Sequence, residues 1–163
     1  MTHSDPRRPG DGLLHPVPLA AVALLILNDH VLKMRWPGWV TGKLSDVAGL
    51  VFFPLLLDAL VARLPFTRSL PPERRVGACV IATAVVFAAV KTWAPATEAY
   101  QVGLGLLQWP FQIIGARLRG EAPSGPHWVS LVRDPTDLAA LPFLVVPWLL
   151  ERRRAAGADS LAP

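Results

Sequence analysis

The apolar segments of this chain meet polar clusters before they reach the length of a membrane span. A helix needs roughly 20 residues to cross a hydrocarbon core about 30 Å thick. The uninterrupted apolar runs are all shorter than this and cover residues 17–27, 47–57, 76–90 and 138–150. We therefore predict membrane-spanning helices over residues 13–33, 45–64, 76–93 and 136–151, in which the neighbouring polar residues are drawn into the spans.

A fifth segment, residues 99–117, has a different pattern. Polar or small residues recur along it at spacings of three and four and so share one helical face. They are Gln101, Gly105, Gln108, Gln112 and Gly115. Leucine, phenylalanine and isoleucine side chains occupy the adjoining face, which is typical of an amphipathic helix in the membrane interface. The alternative is a fifth span whose glutamines face other helices.

Composition supports one integral membrane domain rather than a soluble one. The chain has 163 residues, of which 52% are hydrophobic and 17% charged, with a mean hydropathy of +0.39. The predicted fold class is all-α, a polytopic membrane helix bundle of four transmembrane helices plus one amphipathic interfacial helix. We expect a disordered N-terminal tail over 1–12, a single transmembrane domain over 13–151 and a cytoplasmic C-terminal tail over 152–163.

Basic residues indicate topology rather than nucleic-acid binding. The net charge is +4, but most arginines flank the apolar segments. We predict a multi-pass protein of the bacterial cytoplasmic membrane with a cytoplasmic N-terminus and an uncleaved first span, because no small-residue cleavage pattern follows it. The four-span and five-span topologies place the same number of lysine and arginine residues on the cytoplasmic side, so this count does not distinguish them. The run Arg152-Arg153-Arg154, which directly follows the last apolar run, favours four.

The single cysteine limits the chemistry available. Cys79 lies inside the most apolar stretch, so this chain alone cannot form an intrachain disulfide or a thiolate metal cluster. No cofactor is indicated directly, although a divalent metal ion is compatible with the acidic clusters described next.

The first polar cluster, Asn28-Asp29-His30, ends the first predicted span. Asp29 and Lys33 are four residues apart on a helix and can form an ion pair, which is the structural explanation for the cluster. A carboxylate beside an imidazole is also the combination used for proton transfer or for a hard metal ion.

The second cluster begins the second predicted span, and its residues run from Thr41 to Asp46. Thr41 or Ser45 can cap the helix, and Asp46 is favoured near a helix N-terminus. Capping does not require a lysine and an aspartate so close together at the end of a span, so Lys43 and Asp46 are candidates for a functional role. Asp58, near the far end of the same span, needs a partner or a neutral state.

The third cluster, Asp134-Pro135-Thr136-Asp137, precedes the last predicted span. Asp134 as N-cap, Pro135 at the first helical position and Asp137 reaching back to the cap would explain it structurally. With four spans these clusters all lie on the extracytoplasmic side and could form one site. With five spans, Asp134 and Asp137 move to the opposite side.

These three motifs resemble a group of uncharacterised small bacterial integral membrane proteins. The matching strings, NDH, TGKLSD and DPTDL, begin at residues 28, 41 and 134, and the resemblance extends over most of residues 20–150. It implies a bacterial membrane location and brings no activity, cofactor or catalytic residue.

Three functions remain open from the sequence. The first is binding or translocation of a proton or small hard cation, with four residues as ligands or proton carriers, the same four that could hold a metal: Asp29, His30, Asp46 and Asp137. Supporting polar residues are Asn28, Lys33, Lys43, Ser45, Lys91 and Asp134.

The second is an intramembrane enzyme for a lipid or lipid-linked phosphate, with His30 as general base and Lys43 and Lys91 holding the anion. The third is a non-catalytic accessory subunit with a membrane-protein partner or a second copy of itself. The sequence leaves open whether the protein is an enzyme, and it identifies no catalytic residue.

Overall fold

A computed structural model describes residues 10–67, 69–122 and 125–159. Within these residues every regular element is helical and no β-strand occurs. The chain divides into two compact units, one formed by the described residues of 1–85 and 139–163 and the other by residues 86–138. Most of the predicted N-terminal tail, residues 1–9, lies outside the described residues.

The first helix, α1, runs over Pro16–Arg35 and changes type along its length. A short 3-10 helix, Asp11–Leu14, precedes it, and the His15 ring accepts a hydrogen bond from the Val17 amide at the helix start. Regular α-helix over Pro16–Leu27 gives way to a π-helical turn over Asn28–Leu32. The predicted polar end of the first span is therefore the site of the helix irregularity.

Helices α2 and α3 cover Trp39–Val61 and Pro72–Thr92. Helix α2 begins six residues earlier than predicted because Thr41, at its third position, pairs with Gly38: its hydroxyl lies 3.2 Å from the Gly38 amide and 2.9 Å from the Gly38 carbonyl. The second polar cluster thus lies within the first two turns of α2.

Helix α4, Ala94–Leu118, follows α3 after one extended residue, Trp93. The Thr97 hydroxyl lies 2.7 Å from the Val90 carbonyl and 3.1 Å from that of Trp93, so it fixes this corner. Residues 125–134, here called the return segment, have neither helix nor strand. The return segment runs antiparallel to α4, since Gln101 donates to the Leu131 carbonyl and Gln112 lies beside His127.

The last predicted span forms two kinds of helix. Residues Pro135–Leu144 are a 3-10 helix with Pro142 inside it, and helix α5 covers Val145–Asp159. Helix α5 therefore continues through most of the segment predicted as the C-terminal tail.

Among the described residues, three helices are long and apolar enough to cross a membrane: α1, α2 and α3. Only 17%, 33% and 28% of their most apolar windows are buried inside the protein. Small residues allow α1 and α2 to approach closely, because Ala21 packs with Ala48 and Val51. The remaining apolar surface of these helices points outward, as expected for a membrane protein. Neither α4 nor the segment 136–151 is among the three.

Candidate functional site

The centre of the first cluster is Asn28, a fully buried amide in the π-helical turn of α1. Its Nδ2 donates to the Thr41 carbonyl and to the Ser45 hydroxyl, each at 2.7 Å. Its Oδ1 is buried and has no hydrogen-bond partner within the described protein. Buried polar atoms are nearly always paired with protein, water or an ion. Turns of π-helix are rare and often occur at functional sites.

Asp29 is joined to Asn28 through Ser45. The Ser45 hydroxyl donates to Asp29 Oδ1 at 2.8 Å, and Lys33 Nζ lies 2.7 Å from the same oxygen. In this series of hydrogen bonds, Asn28 donates to Ser45 and Ser45 donates to Asp29, so Asp29 acts only as an acceptor. The Asp29 and Lys33 side chains are each 41% exposed, so the carboxylate connects the buried amide to the protein surface. The predicted i,i+4 ion pair is confirmed.

His30 is oriented by its own helix. Its Nδ1 lies 3.0 Å from the Ile26 carbonyl, and because a carbonyl can only accept, Nδ1 carries the hydrogen. In the neutral ring Nε2 then holds the lone pair. The residue is exposed, and its described hydrogen bond is to the backbone rather than to Asp29.

The remaining residues of the second cluster lie along the first turns of α2. Lys43 extends over the indole of Trp39, with Nζ 4.8 Å from the ring centroid. Asp46 is half-buried one residue after Ser45. Of the residues singled out from the first two motifs, the structure joins Asn28, Asp29 and Ser45 directly through hydrogen bonds.

The third cluster lies in the other compact unit, where it forms a buried ion pair. Lys91, at the end of α3, places Nζ 2.7 Å from Asp137 Oδ2, and the two side chains are only 8% and 11% exposed. The Phe87 ring lies 5.5 Å from the same ammonium group. Asp137 therefore pairs with a residue 46 positions earlier in the sequence.

Asp134 performs the predicted capping role. Its Oδ1 accepts from the Thr136 amide at 2.9 Å, and Pro135 is the first residue of the helix that follows. That helix is a 3-10 helix rather than the predicted α-helix, and its first-turn carboxylate, Asp137, reaches Lys91.

Asp58 has the partner that its burial requires. Arg75, in the first turn of α3, donates from Nε to Asp58 Oδ1 at 2.6 Å and from Nη2 to Oδ2 at 3.3 Å. Both side chains are less than 15% exposed. This pairing explains Asp58 structurally.

Sequence reasoning missed a groove on α4. Its volume is about 500 Å³, and its polar lining includes Gln108, Gln112, Arg119, Glu121 and His127. The glutamine stripe indicated one face of α4, but no sequence pattern indicated that the return segment would cover it. The lipid-enzyme hypothesis expects a groove lined by His30, Lys43 and Lys91, and these residues do not line this one.

Over the described ranges, no three His, Cys, Asp or Glu side chains form a group that could hold a metal ion. No protein-family model, curated protein or solved structure matches this chain.

Proposed function

We propose that this protein crosses the bacterial cytoplasmic membrane four times, with both termini in the cytoplasm, and binds or translocates a proton or small hard cation on the extracytoplasmic side. The observation that carries the proposal is the buried Asn28 side chain: its Oδ1 has no hydrogen-bond partner among the described residues, and its Nδ2 is linked through Ser45 to Asp29. The resemblance to small bacterial membrane proteins agrees with this location.

The Lys91–Asp137 ion pair supports four spans. It joins the end of α3 to the start of the last helical segment, so both belong on the same side of the membrane. The intervening α4 and return segment must then leave and return on that side. In the five-span arrangement the two charged groups would be a membrane thickness apart.

The return segment supports an interfacial position for α4. Lipid cannot satisfy the hydrogen bonds of irregular backbone, so such backbone is excluded from lipid-exposed positions in the hydrocarbon. The return segment lies along α4 over residues 101–112. Meanwhile Leu107, Phe111 and Leu118 on α4 are 66%, 72% and 83% exposed. A helix with polar contacts on one face and exposed apolar side chains on the other fits the membrane interface.

The segment after Asp134 is long enough to be the fourth span. The 3-10 helix has 10 residues, and at about 2.0 Å per residue it rises roughly 20 Å. The first two turns of α5 add about 11 Å. The total of about 31 Å matches the hydrocarbon thickness, although the residue count is below that of an α-helical span.

The oxygen atoms of the first cluster suit a proton or a hard cation of low charge as ligand. A carboxylate, a hydroxyl and an amide oxygen are hard oxygen ligands. Lys33 already neutralises Asp29, so a divalent ion there would meet the repulsion of an ammonium group. We propose that Asp29 exchanges Lys33 for the incoming proton or cation, while Asn28 Oδ1 holds the water or cation that its burial requires.

Flux measurements on the full chain in proteoliposomes test this proposal. An interior pH dye and sodium- or potassium-selective dyes should report flux with the wild-type protein. Asp29→Asn and Asn28→Leu should abolish it, while Glu98→Gln, an exposed carboxylate on α4, should leave it unchanged. Equal flux in Asp29→Asn and the wild type would contradict the proposal, as would a wild type that shows neither flux nor, by titration calorimetry, binding of any of these ions.

Cysteine labelling tests the topology separately. Thr92→Cys and Thr136→Cys, both at exposed positions, are placed in turn in a Cys79→Ala background. A membrane-impermeant maleimide added to intact cells should label both positions. Labelling of one position only, with the other reached after lysis, would instead indicate five spans.

A second candidate function is a non-catalytic accessory subunit. It is favoured by the pairing of charged groups within the chain at Asp58–Arg75 and Lys91–Asp137. It predicts that the wild type carries no ion flux and that the purified protein has the mass of a dimer or larger assembly by light scattering. The lipid-phosphate enzyme with His30 as base stays a prediction.

A further inference from the structure

The groove on α4 combines two features: opposite charges at its rim and an adjoining apolar surface. Arg119 and Glu121 form an ion pair at 3.0 Å in which both side chains are more than half exposed. Phe111 lines the groove and is also part of the exposed apolar face of α4. A molecule bound there would contact charged groups and apolar surface at once.

The polar lining supplies hydrogen-bond donors around the Arg119 guanidinium. His127 Nδ1 lies 3.4 Å from Gln112 Oε1, an oxygen that can only accept, so the imidazole donates from Nδ1. The amide nitrogens of Gln108 and Gln112 are further potential donors. His127 uses that hydrogen on Gln112, so the donors left for a ligand are the guanidinium and the amides, and a phosphate, with several acceptor oxygens, matches them.

Arg119 and Glu121 can give up their contact with each other for contacts with a ligand at little cost. Exposed ion pairs contribute little stability because water and salt screen them. A ligand with one negative and one positive group can replace the pair with two new contacts and leave neither charge alone. The headgroup of a zwitterionic phospholipid has these two groups side by side.

We propose that this groove binds a phospholipid with a phosphoethanolamine headgroup. The phosphate contacts Arg119 and the amide nitrogens of Gln108 and Gln112, the ammonium contacts Glu121, and the acyl chains leave over Phe111 toward the exposed apolar face. The inference uses the interfacial position of α4 given in the proposed function but not the ion site.

Native mass spectrometry of the detergent-solubilised full chain tests the assignment. The protein is titrated with phosphatidylethanolamine and, separately, with phosphatidylglycerol of the same acyl chains. We expect one phosphatidylethanolamine per chain, bound about tenfold more tightly than phosphatidylglycerol. Arg119→Gln and Glu121→Gln should each weaken it by about tenfold, the effect of losing one charge-assisted hydrogen bond. Arg117→Gln, an exposed arginine outside the groove, should change nothing.

Three results would overturn the proposal. Equal affinity for both lipids would remove headgroup selection, and equal loss in Arg117→Gln would indicate non-specific charge attraction. Displacement of the lipid by millimolar inorganic phosphate would identify a free-phosphate site. Flux through Asp29 and labelling at Thr136 are measured independently, so failure of the proposed function can be told apart from failure of this lipid site.

Discussion

Removing one member of the Lys91–Asp137 pair should destabilise the protein strongly, whereas removing both should not. The two side chains are nearly buried and their charged atoms are 2.7 Å apart. At an effective dielectric constant of about 20, their attraction is about 6 kcal/mol. Desolvation of the two ions offsets most of that gain, so the net contribution of the intact pair is small.

A single substitution removes the attraction between the two charges but leaves the desolvation cost of the remaining one. Asp137→Asn removes the carboxylate that lies 2.7 Å from the buried Lys91 ammonium, and Lys91→Met removes that ammonium from beside the buried Asp137 carboxylate. We expect each to lower the free energy of unfolding by about 3–5 kcal/mol. The double variant Lys91→Met/Asp137→Leu replaces both ions with apolar groups and should lie within about 1 kcal/mol of the wild type, which makes the two effects strongly non-additive.

The chain offers a matched control for this prediction. Asp29 and Lys33 form an ion pair at the same 2.7 Å distance, but their side chains are 41% exposed. Lys33→Met should therefore cost less than about 1 kcal/mol. Unfolding by sodium dodecyl sulfate in mixed micelles, followed by circular dichroism, measures all four variants. If Asp137→Asn costs no more than Lys33→Met, or if the costs of the two single substitutions simply add in the double variant, the pair is not buried as described.

Three further predictions use the same unfolding measurement. Asn28→Ala removes two hydrogen bonds of a buried amide and should cost about 1–3 kcal/mol. A cost below about 0.5 kcal/mol would show that water replaces them. Gly105→Ala would place Cβ 2.7 Å from the His127 carbonyl oxygen and should cost about 1–3 kcal/mol. Gly103→Ala, with open space around it, should stabilise α4 slightly. Equal effects of the two substitutions would refute the close approach of the His127 carbonyl to α4. Asp58→Asn should cost about 3 kcal/mol, and adding Arg75→Met should recover most of it; no recovery would argue against the pair.

Local features of the sequence were sufficient for most of the helices. Apolar length predicted helical membrane segments near the positions of α1, α2 and α3, and the glutamine spacing predicted the helix that became α4. The cap at Asp134 and the Asp29–Lys33 pair were also predictable, because their partners lie within four residues. The early start of α2 was missed, since Thr41 and Ser45 were both candidate caps, and in the structure Thr41 lies inside the helix and contacts the backbone of Gly38.

Contacts between distant residues were decided by the tertiary structure. The link from Asn28 to Ser45 spans 17 positions and that from Lys91 to Asp137 spans 46, and no periodicity in the chain encodes either. The π-helical turn begins at the same residue, Asn28, whose buried amide contacts α2. Hydrophobic length and local capping are properties of neighbouring residues, so the sequence alone determines them. Which polar groups share a buried environment depends on how the helices pack, and that only the folded chain decides.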